Sequence, residues 1–189
     1  MRLFVGVELA PDVIAAVSEF IGGLADRARG LAPTARITWV TAERMHVTVR
    51  FIGHVEHDRL DAILEALSAP LAIAPFNLMA AGLGTFPPKG APRVLWAGLR
   101  DGRDRLLEVE KEVSERLSRV GLVPEDRPYK PHLTLARVRE AAGLKSAELL
   151  DGVSERTFGS TPVGAITLFD SRLSPKGPTY LALQRTSLT

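Results

Sequence analysis

The sequence contains no cysteine, which excludes disulfide bonds, thiolate nucleophiles and cysteine zinc sites. It also lacks any uninterrupted run of about 18 apolar residues, so we predict no membrane-spanning helix. The opening segment, Arg2–Glu8, is short and reaches an acidic residue too early for a signal peptide. We therefore expect a cytoplasmic protein that does not associate with membranes.

The chain has little excess charge of either sign, because 24 Lys and Arg residues face 22 Asp and Glu residues. A net charge of +2 excludes a uniformly polybasic protein. Arginine outnumbers lysine by 19 to 5, and its planar side chain matches phosphate geometry. We attribute this excess to biased codon composition, so overall charge does not predict RNA binding, although a local basic cleft remains compatible.

The pattern of apolar residues predicts one α+β domain spanning residues 1–189, or two small lobes that share a core. Strand, helix and motif strand follow one another in each half, which indicates a pseudo-duplicated domain. The predicted strands are 2–8, 37–40, 45–52, 76–83, 94–99, 132–138, 164–169 and 179–184, and the predicted helices are 11–29, 57–67, 103–120 and 146–150. A loop rich in glycine and proline is expected at 84–92.

One four-residue pattern, His-apolar-Thr-apolar, occurs twice, at 46–49 and at 132–135. Residues i and i+2 of a strand point to the same face, so each copy places an imidazole beside a hydroxyl. Four His and twelve Thr in 189 residues predict only about 0.25 His-x-Thr matches by chance. The alternative interpretation is that both pairs lie on a solvated strand face and have no chemical role.

Two facing motif strands provide the groups that acid–base chemistry on a phosphate needs. Histidine titrates near neutrality, so one neutral imidazole can accept a proton while a protonated one donates. The catalytic candidates are therefore His46 and His132. The hydroxyls of Thr48 and Thr134 can donate hydrogen bonds to phosphate oxygens.

Cations close to the motifs are further candidates for phosphate binding. Arg50 is in phase with the first motif's His and Thr, so strand alternation places it on the same face. Arg137 falls five residues after His132, on the opposite face, and needs a strand end or a bulge to reach a cleft. Lys130 and Arg127 precede the second motif in a loop.

Aromatic side chains near the motifs are candidates for stacking on a nucleobase. These residues are Trp39, Phe51, Phe86, Trp96 and Tyr129. We expect Phe51 and Trp96 to pack in the core. Phe86, in the loop rich in glycine and proline, and Tyr129, just before the second motif, are better placed to contact substrate.

The sequence offers weak signals for other chemistries. His54 and His57, with Glu56 between them, resemble half of a metal site, but no third ligand is evident, so we predict no metal. There is no dinucleotide-binding glycine loop, no Walker motif and no nucleophile elbow. We therefore predict no cofactor.

With these motifs, the chain resembles the 2H phosphoesterase superfamily, and within it the bacterial and archaeal RNA 2′,3′-cyclic phosphodiesterases, historically called 2′-5′ RNA ligases. The segments that carry the resemblance are RLFVGV at 2–7, HVTVRFIG at 46–53, FP at 86–87, PRVLW at 92–96 and RPYKPHLTLAR at 127–137.

The resemblance implies a bilobal fold with two antiparallel sheets facing a central cleft and helices outside. It implies hydrolysis of a terminal 2′,3′-cyclic phosphate on RNA, such as a tRNA fragment, to a 2′-phosphate, with weak 2′-5′ joining in reverse. It further implies a monomer without metal or nucleotide. His46 would be the general acid and His132 the general base, with Thr48, Thr134 and Arg137 holding the phosphate.

Two other functions stay open at this point. One is a phosphodiesterase of the same superfamily that acts on a small cyclic nucleotide or an ADP-ribose cyclic phosphate. The other is a non-catalytic RNA-binding module that uses the same cleft, although the presence of both histidines and both threonines argues against it.

Overall fold

The computed structural model describes residues 1–123, 128–175 and 177–189. The strands in this part of the chain are β1 (Arg2–Glu8), β2 (Arg36–Trp39), β3 (His46–His54), β4 (Phe76–Phe86), β5 (Val94–Leu99), β6 (Leu133–Glu140), β7 (Thr157–Val163), β8 (Ala165–Ser174) and β9 (Gly177–Ser187). The helices are α1 (Pro11–Leu31), α2 (Leu60–Ala66), α3 (Arg103–Arg119) and α4 (Ser146–Leu150), with 3₁₀ turns at Ala42–Arg44 and His57–Arg59. No described helix is both long enough and apolar enough to cross a membrane.

The strands form one strongly curled antiparallel sheet, in the order β7-β4-β5-β6-β3-β1-β8-β9, with β2 beside β6. The α+β class is confirmed, but the expectation of two separate sheets is wrong. The motif strands β3 and β6 pair with each other at Val47 and Leu133, which joins the two halves. Beyond this pair, β6 is hydrogen-bonded to β2 instead of β3. β3 and β6 therefore diverge and leave a cleft between them.

The strand order is symmetrical about the β3–β6 pair. Reading outward, β3-β1-β8-β9 in one half corresponds to β6-β5-β4-β7 in the other. The long helices cross between the halves, because α1 follows β1 yet packs on β7, whereas α3 follows β5 yet packs on β3.

The long helices form because apolar residues recur at intervals of three and four, which gives each helix one apolar face. Pro11 starts α1 at a position where a missing N–H costs nothing. The buried faces comprise Val13, Val17, Ile21, Leu24 and Ala28 in α1, and Leu106, Val109, Val113 and Leu117 in α3. Each of these valine, leucine and isoleucine side chains contributes about 1.5–3 kcal/mol on burial, so the core between helices and sheet holds the cleft in shape.

Several elements differ from the prediction. β8 continues to Ser174 and β9 to Ser187, past the predicted ends at 169 and 184. β4 continues to Phe86 because Trp96 of β5 lies against Gly84, where any side chain would collide with the indole ring. β7 was not predicted, since its polar sequence includes Gly159 and Pro162, residues that edge strands tolerate. The helix predicted at 57–67 is a 3₁₀ turn followed by α2.

Candidate active site

The two motif histidines are held in the same way, each by a carbonyl two residues earlier. His46 Nδ1 lies 2.8 Å from the Arg44 carbonyl oxygen, and His132 Nδ1 lies 2.6 Å from the Lys130 carbonyl oxygen. A carbonyl only accepts, so Nδ1 donates its proton and Nε2 of the neutral ring is left as an acceptor. The hydroxyl of Thr48, 3.1 Å from His46 Nε2, then donates to it.

The surroundings of both histidines favour the neutral ring. Burial lowers the pKa of His46, opposed by its bond to the Arg44 carbonyl and reinforced by the charges of Arg137 and His132. Burial also lowers the pKa of His132, opposed by its bond to the Lys130 carbonyl and reinforced by Arg137. A neutral imidazole can accept a proton, so both rings can begin a reaction as bases.

Aromatic rings fix the plane of His46. Its ring centroid lies 4.7 Å from that of Phe4, 5.0 Å from that of Tyr180 in an edge-on arrangement, and 6.4 Å from that of Phe169. Packing of this kind restricts rotation about the side chain, so Nε2 keeps its direction.

His132 packs edge-on against Phe86, with ring centroids 5.2 Å apart. Phe86 also contacts Trp96, and the ammonium of Lys130 lies 5.9 Å from the Phe86 centroid. Phe86, a predicted substrate contact, therefore packs directly on the second histidine.

A β-bulge follows the threonine of the first motif. The pairing of β3 with β1 skips one residue between Thr48 and Arg50, and both Val49 and Arg50 are buried. The predicted placement of Arg50 on the cleft face is wrong, because the bulge reverses the alternation. Arg50 Nη2 instead donates to the Val123 carbonyl oxygen at 2.5 Å. The next residue, Phe51, lines the cleft and is 40% exposed, so its expected place in the core is also wrong.

The second motif has a bulge at the corresponding position. The pairing of β6 with β5 skips one residue between Thr134 and Ala136, and Leu135 and Ala136 are both buried. Arg137 consequently reaches the face that carries Thr134, and both line the cleft. Strand alternation predicted that Arg137 needs a strand end or a bulge to reach the cleft, and the structure has the bulge.

Tyr129 does not face the cleft. Its hydroxyl donates to the Thr48 carbonyl oxygen at 2.7 Å, and burial raises the pKa of the phenol, with the charge of Glu110 adding to the effect. This tyrosine therefore connects the second motif's leading segment to the first motif's strand. Lys130 is exposed, and Arg127 lies outside the described residues.

The cleft encloses about 500 Å³, a volume typical of small-ligand sites. Its lining includes His46, Thr48 and Thr134, the arginines Arg2, Arg44, Arg137 and Arg139, and the aromatic residues Phe4, Trp39, Phe51 and Tyr180. No acidic residue lines it within the described chain, so its field favours an anionic ligand.

Sequence reasoning missed three of these arginines. Arg139 follows Arg137 at strand spacing and could have been found once the bulge was known. Arg2 and Arg44 lie outside the two motifs, so no local sequence pattern predicts that they line the cleft.

A metal site is not found in the described residues, where no three His, Cys, Asp or Glu side chains lie close enough to bind an ion. His54 Nε2 lies 3.2 Å from Glu56 Oε1, and both side chains are exposed.

Comparison with known proteins agrees with this geometry. Residues 10–174 match the model of the 2′-5′ RNA ligase superfamily. The chain belongs to the 2′-5′ RNA ligase superfamily. Among curated members, the RNA 2′,3′-cyclic phosphodiesterase of Archaeoglobus fulgidus is 33% identical over 187 residues, covering 97% of this chain and 98% of that protein. The protein of the same name from Methanocaldococcus jannaschii is 32% identical over 181 residues, covering 95% and 96%.

Solved structures of other proteins share the fold. The TT0787 structure from Thermus thermophilus has a TM-score of 0.73 and 29% identity, covering all of this chain and 98% of that one. Escherichia coli LigT complexed with 3′-AMP has a TM-score of 0.72 and 25% identity, with the same coverage. The curled α+β architecture is thus common to this chain and these two structures.

Proposed function

We propose that this chain hydrolyses the 2′,3′-cyclic phosphate at the end of an RNA to a 2′-phosphomonoester, with His46 and His132 as an acid–base pair and no metal. The observation that carries the proposal is the duplicated bond from each Nδ1 to a carbonyl, which leaves Nε2 of each neutral ring as its proton acceptor. His46 lines the arginine-rich cleft, and Arg137 of the same cleft lowers the pKa of His132. The names of the superfamily relatives support the same reaction.

In this mechanism the neutral His132 accepts a proton from water through Nε2 as the water oxygen attacks phosphorus. The protonated His46 gives its Nε2 proton to the departing 3′ oxygen, so the phosphate remains on the 2′ oxygen. Each such transfer typically accelerates a reaction about 10²–10⁴-fold. Thr48, Thr134 and Arg137 donate to the non-bridging oxygens, where negative charge increases.

The acid role of His46 requires a proton that burial disfavours in the free protein. A bound phosphate supplies an opposite charge beside the ring, which raises the pKa of an imidazole and restores the proton. When the 5′-hydroxyl of a second RNA end attacks phosphorus in place of water, His132 accepts its proton and His46 again protonates the departing 3′ oxygen, which gives weak 2′-5′ joining of RNA ends.

The size of the cleft favours one further candidate. A volume of about 500 Å³ suits a small ligand, so a small cyclic nucleotide or an ADP-ribose cyclic phosphate is the alternative substrate. A non-catalytic RNA-binding module is the remaining alternative, and the anchoring of both imidazoles argues against it.

The test is incubation of the purified protein, in EDTA, with an oligonucleotide that ends in a 2′,3′-cyclic phosphate. Products are read by mass and by resistance to a 3′-specific phosphatase. A 2′-phosphate that the His46→Ala/His132→Ala double variant does not form supports the proposal. Absence of conversion, with turnover of small cyclic phosphates instead, favours the alternative substrate, and EDTA inhibition reversed by one particular divalent ion contradicts the metal-free mechanism.

We also propose that the protein acts as a cytoplasmic monomer. The absence of cysteine fits a reducing compartment. Light scattering of the purified protein measures the oligomeric state, and a dimer at every protein concentration would contradict the proposed monomer.

A further inference from the structure

Phe51 is the exposed aromatic side chain of the molecule. All eleven Phe, Trp and Tyr residues lie in the described part of the chain, and the other ten are buried or half-buried. Phe51 is 40% exposed, belongs to no part of the apolar core and lines the cleft with His46 and Thr48. Exposed apolar surface inside a binding cleft is typical of a ligand contact.

Arg2 extends this surface. Its guanidinium carbon lies 5.0 Å from the centroid of the Phe51 ring, and Arg2 lines the same cleft. Arginine planes and aromatic faces are the groups on which proteins stack bases of single-stranded nucleic acid. The exposed fraction of Phe51 means that Arg2 leaves part of the ring uncovered.

We infer that Phe51, with Arg2 beside it, stacks a nucleobase of the substrate while the cyclic phosphate lies near the two histidines. This inference rests on the proposed function. The base belongs either to the terminal nucleotide or to its neighbour. Stacking uses the face of the base, so the site accepts any of the four bases.

The experiment compares three substrates that share the same reacting group: ribose 2′,3′-cyclic phosphate without a base, a nucleoside 2′,3′-cyclic phosphate, and a dinucleotide with the same end. Wild type, Phe51→Ala and Phe51→Trp are assayed on each. The matched control is Leu31→Ala, at the end of α1, whose side chain is 43% exposed and does not line the cleft.

Loss of stacking should lower kcat/KM about five- to a hundredfold for Phe51→Ala, and Phe51→Trp should retain it. If the ring stacks the terminal base, both base-bearing substrates lose; if it stacks the neighbouring base, only the dinucleotide loses. In either case the baseless substrate is unaffected. An equal loss on all three substrates, or no loss on any, overturns the inference.

A binding measurement separates this inference from the proposed function. Calorimetry compares the affinity of wild type and Phe51→Ala for a dinucleotide that ends in a 2′-phosphate, which carries both bases, and for inorganic phosphate. Weaker nucleotide binding with unchanged phosphate binding supports the stacking surface even if no substrate is hydrolysed. Unchanged nucleotide binding argues against it.

Tyr129 carries a second, independent inference. Its hydroxyl is bonded to the Thr48 carbonyl, and the next residue, Lys130, supplies the carbonyl that holds His132 Nδ1. The two motif strands share a single residue pair in the sheet, so this hydrogen bond is a further connection close to both histidines. We propose that Tyr129 is a positioning residue that sets the orientation of His132 relative to the first motif.

The test is Tyr129→Phe, with Thr186→Val as the matched control. Thr186 likewise donates from a buried hydroxyl to a carbonyl, that of Leu67, and does not line the cleft. Nitrogen NMR of His132 reports its tautomer and pKa without any substrate. We expect Tyr129→Phe to shift both, and to lower kcat/KM about tenfold, while Thr186→Val changes neither. If the two variants lose similar stability and His132 is unaltered in both, Tyr129 is a structural residue only.

Discussion

The two motif strands have similar backbone conformations, but they place different side chains in the cleft. The histidine at the start of β3 and the one directly before β6 each donate to the carbonyl of the residue two positions earlier, and a bulge follows the threonine in both strands. After the bulge, β3 presents Phe51 and β6 presents Arg137 to the cleft. The second buried bulge residue is Arg50 in β3 and Ala136 in β6.

The comparison shows that the same bulge follows both threonines although the residues after it differ. Each half can then specialise, with a ring on one strand and a cation on the other. The histidine environments differ too, since His46 packs against Phe4, Phe169 and Tyr180, while His132 packs against Phe86.

Replacing the two motif histidines, which both halves have in common, should have the largest effect on activity. We expect His46→Ala and His132→Ala each to lower kcat/KM about 10²–10⁴-fold, because each removes one proton transfer. The control is His54→Ala, whose side chain is exposed and does not line the cleft. A rate within about tenfold of wild type in both variants would show that the histidines are not an acid–base pair.

The next largest effect is expected for Arg137, the cation that β6 places in the cleft where β3 places Phe51. Arg137→Met should lower kcat/KM about 10- to 100-fold, since a charged hydrogen bond contributes about 1.5–3 kcal/mol. It should also raise the pKa of His46 and of His132, because the charge of Arg137 lowers both. Steady-state kinetics and an NMR titration measure the two effects. Arg36→Met, which removes an exposed arginine paired with Glu140, should leave both unchanged; equal effects in the two variants would contradict a specific role.

Arg50→Ala gives β3 the residue that β6 carries beneath its bulge. We expect the free energy of unfolding to fall by about 1–3 kcal/mol, because the charged hydrogen bond from Arg50 Nη2 to the Val123 carbonyl oxygen is lost. Urea titration measures this loss. Catalysis by the folded fraction should stay within about threefold of wild type, since Arg50 faces away from the cleft. A loss of activity at unchanged stability would show that Arg50 takes part in catalysis.

A smaller effect concerns pH. Both histidines have folded pKa values below the unfolded value of about 6.5, so the unfolded chain binds more protons. Their contribution to stability is complete above about pH 6.5 and is lost as the pH falls toward the folded pKa values. Thermal unfolding of wild type and His132→Gln between pH 5 and 7.5 measures it. The variant should lose less stability on acidification, and parallel curves would be inconsistent with a half-buried, neutral His132.

Local patterns predicted much of this molecule. Apolar spacing located α1 and α3, and alternation placed His46 beside Thr48, to which its Nε2 is hydrogen-bonded. The side of the sheet on which Arg50 and Phe51 lie was not predictable, because one inserted residue reverses the alternation and leaves no mark in the sequence. The single sheet depends on the pairing of Val47 with Leu133, a long-range contact that no local window contains.

The crossing of the long helices has a consequence for folding. Phe20 of α1 packs against Phe158 of β7, with ring centroids 5.2 Å apart, and α3 covers β3. Each half of the sheet is therefore covered by a helix that its own half does not supply. A fragment containing one repeat would expose an apolar sheet face with nothing to cover it, so the intact chain should melt in a single cooperative calorimetric transition despite its internal symmetry.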